Sequence, residues 1–431
     1  MKDVRYLLLA VLTVVPGTVL SGQPTDSINY DEAKVPNYVL PDPLVLPDGS
    51  RVETPEDWWL KQRPRLLRLF ETEMYGKAPR LPAKIDVKEL GRDSKALGGL
   101  AERKELRLNL TGLEQGPFLH VLIYLPSRRT GPVPVFLALN FNGNHSITPD
   151  PGVTVVDAWA SGPAKDAENP QTIAAVPRGA YASRWPLSLI LSRGYGVVTA
   201  YYGEIQPDDP EKMREGLLGM YLLRGQSSPA LDQWGAIGAW AWGMRRMLDA
   251  VKKQSDIDGR RVIALGHSRL GKTALWAAAQ DQRFVAAISN NSGCGGAALS
   301  RRRFGETVES INRAFPHWFC GNFKRYGGRE EELPFDQHSL LALIAPRPLY
   351  VASAAEDLWA DPRGEFLAAK AADPVYRLLG TDGLQAEEMP PVDQPVFSTI
   401  SYHVRSGGHD LTEADWGFFL EFADRYVRRR E

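Results

Sequence analysis

The stretch Arg261-Val-Ile-Ala-Leu-Gly-His-Ser-Arg-Leu-Gly-Lys-Thr-Ala-Leu-Trp276 constrains the fold more than any other part of the chain. An apolar, strand-like run ends at Leu265, Gly266-His267-Ser268-Arg269 interrupts it, and an Ala- and Leu-rich helical pattern begins at once. A strand that becomes a helix within four residues must turn sharply, and small neighbours permit the turn. This is the layout of a nucleophile elbow, which lifts a serine hydroxyl above the carboxyl edge of a sheet. The usual elbow has glycine two residues after the serine, whereas Leu270 stands there and Gly271 follows one later. The plainer alternative is a serine capping an ordinary helix.

The rest of the chain alternates in the manner this turn requires. Apolar segments at Lys84 to Leu90, Glu105 to Leu110, Leu119 to Leu125 and Val133 to Leu139 read as strands, the first of them an antiparallel meander. Strand-like Gly196 to Tyr202, Arg261 to Leu265, Val285 to Ser289, Leu349 to Ser353 and Val396 to Val404 then alternate with helical Gln233 to Lys252 and Lys272 to Gln280. Such alternation predicts a three-layer α/β sandwich of the α/β-hydrolase type, its mostly parallel central sheet covered by helices on both faces. Upstream, Asn29 to Arg51 reads as an extended surface arm, and Thr54-Pro55-Glu56-Asp57 opens a helix that runs to Tyr75-Gly76. Thr148 to Pro186 and Ala369 to Pro395, rich in Pro, Gly and Asp, read as loop insertions shaping a pocket mouth. No internal repeat or low-complexity tract is visible.

Composition narrows the function classes. With 431 residues, 43% hydrophobic and 24% charged, the chain is ordinary globular material. A formal charge of −1 offers no basic field for nucleic acid or an anionic membrane. Charged residues before the apolar run Tyr6 to Val15, then Pro16-Gly17 and Ser21-Gly22, predict a signal peptide over 1–22. A single catalytic domain over 23–431, exported to the periplasm or beyond, is then expected. No later run is long enough to span a membrane, and a monomer is expected. Cys294 and Cys320 are the only cysteines, which excludes a disulfide scaffold and a Cys-rich zinc site. In an exported protein these two are expected to form one bridge, the alternative being two buried free thiols.

A serine hydroxyl needs a base, and the base needs an acid to fix its tautomer. In this fold the chain order is serine, acid, histidine. His317, His338, His403 and His409 lie downstream of Ser268, and His409 follows Ser406-Gly407-Gly408 in a loop after the last strand, where the base belongs. His403 sits mid-strand and reads as structural. Arg269 and Lys272 place two cations at the start of the next helix, against its dipole. That suits a site in which the Arg269 N–H and guanidinium stabilise an oxyanion; the alternative is two solvated cations. No His-Glu-x-x-His helix or zinc-spaced cysteine pair occurs, and Asp208-Asp209 reads as polarity of a Pro-rich turn, so neither a catalytic metal nor a cofactor is expected.

Six blocks in order, Gly266 to Lys272, Asn290-Asn-Ser-Gly-Cys-Gly-Gly-Ala297, Gly305-Glu-Thr307, Phe315-Pro-His-Trp-Phe-Cys320, Asp336-Gln-His338 and Glu356-Asp-Leu-Trp-Ala-Asp361, resemble the glucuronoyl esterases of carbohydrate esterase family 15, particularly its bacterial branch. The resemblance implies hydrolysis of esters of (4-O-methyl-)glucuronic acid, as in lignin–glucuronoxylan linkages, with Lys272, Glu306 and Trp359 holding the sugar hydroxyls. Its fungal branch places the triad acid where this chain has Asn291, which carries no charge. The bacterial branch implies Asp357, with Glu356 and then Asp361 as rivals. Two other readings remain at this level: an acetyl xylan or other short-acyl esterase, and a secreted glycan-binding protein without turnover.

Overall fold

Successive side chains of the strand Val133–Asn140 enter two different cores. Val135, Leu137 and Leu139 join one cluster while Phe136 and Ala138 join the other, all buried. A strand that buries both faces must sit inside a sheet covered on both sides. The computed structural model describes residues 28–82, 84–114, 116–158, 172–222, 226 and 229–428, so the signal peptide expected over 1–22 lies outside the described residues.

Nine strands form one sheet: β1 (Asp86–Lys95), β2 (Ala101–Asn109), β3 (Phe118–Pro126), β4 (Val133–Asn140), β5 (Gly196–Tyr201), β6 (Ile257–His267), β7 (Ala286–Asn290), β8 (Leu349–Ala354) and β9 (Ile400–Arg405). Their order is β1-β2-β3-β5-β4-β6-β7-β8-β9. The first three form an antiparallel meander that joins β5, and β5-β4-β6-β7-β8-β9 are parallel. All the parallel strands therefore end on one edge.

Helices α1 (Arg63–Glu73), α2 (Ala236–Val251), α3 (Arg269–Gln280) and α4 (Pro362–Leu378) pack on one face, and the short helix Leu187–Ser192 with α5 (Glu413–Ala423) packs on the other. The Thr54 hydroxyl accepts from Asp57 N–H and Pro55 takes the first helical position, as the sequence predicts. The helix then widens into a π turn over Trp58–Gln62 before α1. At the far end of α3, Arg63 donates to the Ala279 carbonyl at 2.7 Å and Arg347 to the Ala278 carbonyl at 2.8 Å. Two buried guanidinium groups thus satisfy carbonyls that a helix terminus leaves open. On its flank Trp276 stacks on Tyr75 with ring centroids 4.6 Å apart. The helix behind the elbow is held along its length.

Two expectations need correcting. The proposed insertion over Ala369 to Pro395 begins as helix, because α4 continues through Pro374 to Leu378. The Pro and Asp content read as loop, yet Phe366, Ala368, Ala369, Ala372 and Val375 keep a helical spacing and are buried. The Cys294–Cys320 bridge is absent, since both thiols are free and buried. The Cys320 thiol points at the Thr72 carbonyl, 3.7 Å away, so it is directed toward the end of α1. Within Thr148 to Pro186, residues 159–171 lie outside the described part.

Candidate active site

Ser268 occupies the turn between β6 and α3 with φ 57° and ψ −131°. A left-handed backbone is costly for a residue bearing a Cβ, and it persists only where surrounding contacts over-determine it. Those contacts are present: Ser268 N–H donates to the Asn290 carbonyl at 2.9 Å, and its own carbonyl accepts from Gly271 N–H at 2.8 Å. A Cβ on Gly266 would collide with the Leu270 carbonyl, so glycine is required there. At Gly271 a Cβ would press on Ser292 Cβ at 3.0 Å and Gly266 O at 3.1 Å. The second small residue is thus needed at 271, where α3 passes the β7 loop, and Leu270 is free to bury its side chain instead.

The loops after β8 and β9 bring Asp357 and His409 together. His409 Nδ1 lies 2.6 Å from Asp357 Oδ2, with 41% of the histidine side chain exposed and only 3% of the aspartate. A carboxylate accepts, so Nδ1 carries the proton and Nε2 is left as the basic nitrogen. The same Oδ2 accepts from Asn291 Nδ2 at 2.8 Å. Burial works to raise the Asp357 carboxyl, but the hydrogen bond and charge of His409, with Asn291, hold it below its ordinary value. The two rivals are engaged differently. Glu356 is exposed, and Asp361 pairs with Arg302 at 2.8 Å while capping α4 through Gly364 N–H. His403 is buried mid-strand between Tyr350 and Asp415.

The His409 loop is itself clasped. Arg405 donates to the carbonyls of Ser406, Gly408 and Asp410 at 2.7–2.9 Å and pairs with Asp415. The segment before β9 reaches the same loop through Asp393, which accepts from Ser406 N–H, and Arg184 reaches Asp410 at 2.6 Å.

Arg269 and Lys272 are buried, not solvated. Lys272 Nζ donates to the Ser292 carbonyl at 2.5 Å and lies 3.8 Å from Glu306 Oε2. Burial raises the Glu306 carboxyl above its ordinary value, against the pull of Lys272, Trp359 and Arg269. Glu306 N–H donates to the Trp359 carbonyl, and the Trp359 side chain is 38% exposed. A buried cation, a buried acid and a half-exposed indole therefore adjoin one another next to the elbow.

A family model described as "Glucuronyl esterase, fungi" matches residues 187–380. A carbohydrate esterase from an unknown prokaryotic organism is 46% identical over 98% of both chains. A solved structure of a promiscuous esterase of carbohydrate esterase family 15, from a marine bacterial metagenome, is 48% identical, with TM-score 0.87 over 93% of this chain and all of that one. The chain belongs to carbohydrate esterase family 15. Within the family, the glucuronoyl esterase of Solibacter usitatus is 46% identical, with TM-score 0.87 over 91% of this chain and 99% of that one. The 4-O-methyl-glucuronoyl methylesterase of Schizophyllum commune is 29% identical over 80% of this chain and 74% of that one.

Several residues of this family-15 site were not legible in the sequence. Asp208, read as turn polarity, is buried against Arg269, His317 and Trp318. Phe141, in the loop after β4, packs edge-on to His267 and lies under the Arg269 guanidinium. Glu365, on α4, accepts from Ser292 and Gly293 N–H, each at 2.9 Å, and from the Ser353 hydroxyl at 2.6 Å. Burial pushes its carboxyl up to about 8. The one available signal was the His317-Trp318 pair, two ring N–H donors that need a buried acceptor.

Proposed function

We propose that this esterase hydrolyses esters of 4-O-methyl-glucuronic acid with Ser268 as nucleophile, His409 as base and Asp357 as its orienting acid. The observation that carries the assignment is the His409–Asp357 hydrogen bond of 2.6 Å, with the strained Ser268 elbow on the same sheet edge. Ser268 Oγ attacks the C6 carbonyl as His409 Nε2 takes its proton. The negative charge that develops on the carbonyl oxygen is met by the Arg269 N–H and guanidinium, groups already in place before reaction. His409 returns the proton to the departing alcohol, and water then cleaves the glucuronoyl-enzyme by the same route.

Lys272, Glu306 and Trp359 supply fixed donors, an acceptor and an apolar face for the sugar. Such a set favours a hydroxylated acyl group, because a ligand without hydroxyls would cover polar groups that it cannot pair. Relatives named 4-O-methyl-glucuronoyl methylesterase support that substrate class. An ester of this kind on xylan joins it to an alcohol of lignin, a substrate found outside the cell, in keeping with export of the chain. Among the described residues no helix is long and apolar enough to cross a membrane.

The test is a panel of methyl and benzyl glucuronates beside acetylated xylose, assayed with the native enzyme and Ser268→Ala. Glucuronate esters should be cleaved in preference, and the variant should lose on the order of 10⁴-fold or more in turnover while staying folded. Preferred cleavage of the acetyl ester would make this a short-acyl esterase. Saturable binding without Ser268-dependent turnover would leave a glycan-binding protein.

A further inference from the structure

Three hydrogen-bond donors and one guanidinium converge on the buried carboxylate of Asp208, in the turn after β5. His317 Nε2 lies 2.7 Å and Trp318 Nε1 2.6 Å from Oδ1, while the Tyr202 hydroxyl donates to Oδ2 at 2.9 Å and Arg269 Nη1 forms an ion pair with it at 3.2 Å. Arg269 Nη1 also donates to the Tyr202 oxygen at 3.4 Å. The guanidinium carbon sits 5.3 Å from the ring centre of Phe141 and 5.0 Å from that of Trp318. Arg269 Nε is buried without a partner, and no hydrogen bond of Nη2 occurs among the described residues. Burial works to raise the Asp208 carboxyl, but His317, Arg269 and Trp318 hold it below its ordinary value, so it is an anion.

A guanidinium offers two separate NH₂ groups in one rigid plane. One can be anchored while the other serves a ligand, which a lysine ammonium cannot do in a fixed direction. An unanchored arginine would have to give up rotamer freedom at the moment of reaction, and a pre-ordered one would not. Because Asp208 neutralises much of the cation, the help given to the reacting oxygen is a directed hydrogen bond more than a long-range field.

We infer that Asp208 is a positioning residue of the reaction: with His317, Trp318 and Tyr202 it anchors Nη1 of Arg269 and leaves Nη2 as the donor to the developing oxyanion. This rests on the assignment of Ser268 and Arg269 made above. It also gives the Phe315 to Cys320 block a role outside the sugar site, since His317 and Trp318 act through Asp208.

The experiment is a cycle of Asp208→Asn, Arg269→Ala and the double variant, with kcat and KM measured separately on a glucuronate ester and melting temperature as the check on folding. Arg269→Ala is measured first, because wild-type turnover there would overturn the role of Arg269 itself. Asp208→Asn should lower kcat by about 10- to 10²-fold with little change in KM. The double variant should be no slower than Arg269→Ala. Millimolar guanidinium ion should partly restore Arg269→Ala but not the double variant. Native kcat in Asp208→Asn, losses that multiply in the double variant, or equal rescue of both would overturn the inference. Should Asp208→Asn fail to fold, Tyr202→Phe replaces it in the cycle: a kcat loss that vanishes in the Arg269→Ala background supports the anchor, and one that persists refutes it.

Discussion

The imidazoles of His267 and His409 meet in a tilted contact, with ring centroids 4.6 Å apart and planes inclined by 40°. His267 precedes Ser268 and is buried, with Nδ1 held 2.6 Å from Asn290 Oδ1. Burial, then the neighbouring charge of His409, pushes its pKa well below the ordinary histidine value. A neutral ring therefore lies against the one proposed as the base.

That arrangement sets a pH dependence. Below about 6.5 the unfolded chain protonates His267 while the native state does not, so stability falls as pH drops. His403 and His338 are lowered in the same direction by burial. Thermal denaturation should show the melting temperature falling between pH 7.5 and 5.5, as unfolding free energy is lost at up to about 1.4 kcal/mol per pH unit for each histidine involved. His267→Gln should have a shallower slope. Parallel profiles for the two proteins would mean that His267 is not held neutral.

Around the base, three carboxylates in one loop should separate cleanly. Asp357→Asn is expected to lower kcat by up to roughly 10⁴-fold, since loss of the acid favours the wrong tautomer of His409. Glu356→Gln, altering an exposed side chain, should stay near native. Asp361→Asn should chiefly lower the melting temperature, because it weakens the Arg302 pair and the cap of α4. Loss of activity in Glu356→Gln with Asp357→Asn active would move the acid by one residue.

Free thiols can be counted. Alkylation of the unreduced, denatured protein should find both Cys294 and Cys320, and none should react quickly in the native state. Burial pushes the Cys320 thiol up to about 11 and Cys294 well above its ordinary value, so neither offers thiolate at neutral pH. Mass spectrometry showing one intact bridge would refute the free pair.

Gly266→Ala tests the elbow. The added methyl would meet the Leu270 carbonyl, part of the backbone of α3, and the helix cannot retreat without leaving its contacts with the sheet. Soluble yield or melting temperature should fall sharply, with a loss of stability greater than the ~1–3 kcal/mol typical of overpacking. A variant of native stability and turnover would show that the turn is looser than described.

The order of strands and helices was legible in the sequence because it depends on local periodicity: β4, β5, β8 and α2 fall within a few residues of where the apolar patterns put them. Where a proline interrupts that signal, as at Pro374, the pattern reads as a loop although the segment is helix, since a single residue's propensity outweighs a buried face that only packing reveals. Arg269 and Lys272 could be singled out because their charge opposes the helix dipole. What neutralises them could not, for Asp208 and Glu306 lie 61 and 34 positions away along the chain.

By itself, then, the sequence determined a strand-to-helix turn carrying Ser268 between small residues, and the layered α/β order that puts such turns on one sheet edge. Only the tertiary structure decided which carboxylate meets His409, that Asn291 supports Asp357, that Asp208 holds Arg269, and that the cysteines stay apart. The physical reason is range. Turn geometry and amphipathic period are properties of neighbouring residues, whereas a hydrogen bond of 2.6 Å between residues 52 apart exists only once the loops after β8 and β9 are brought side by side.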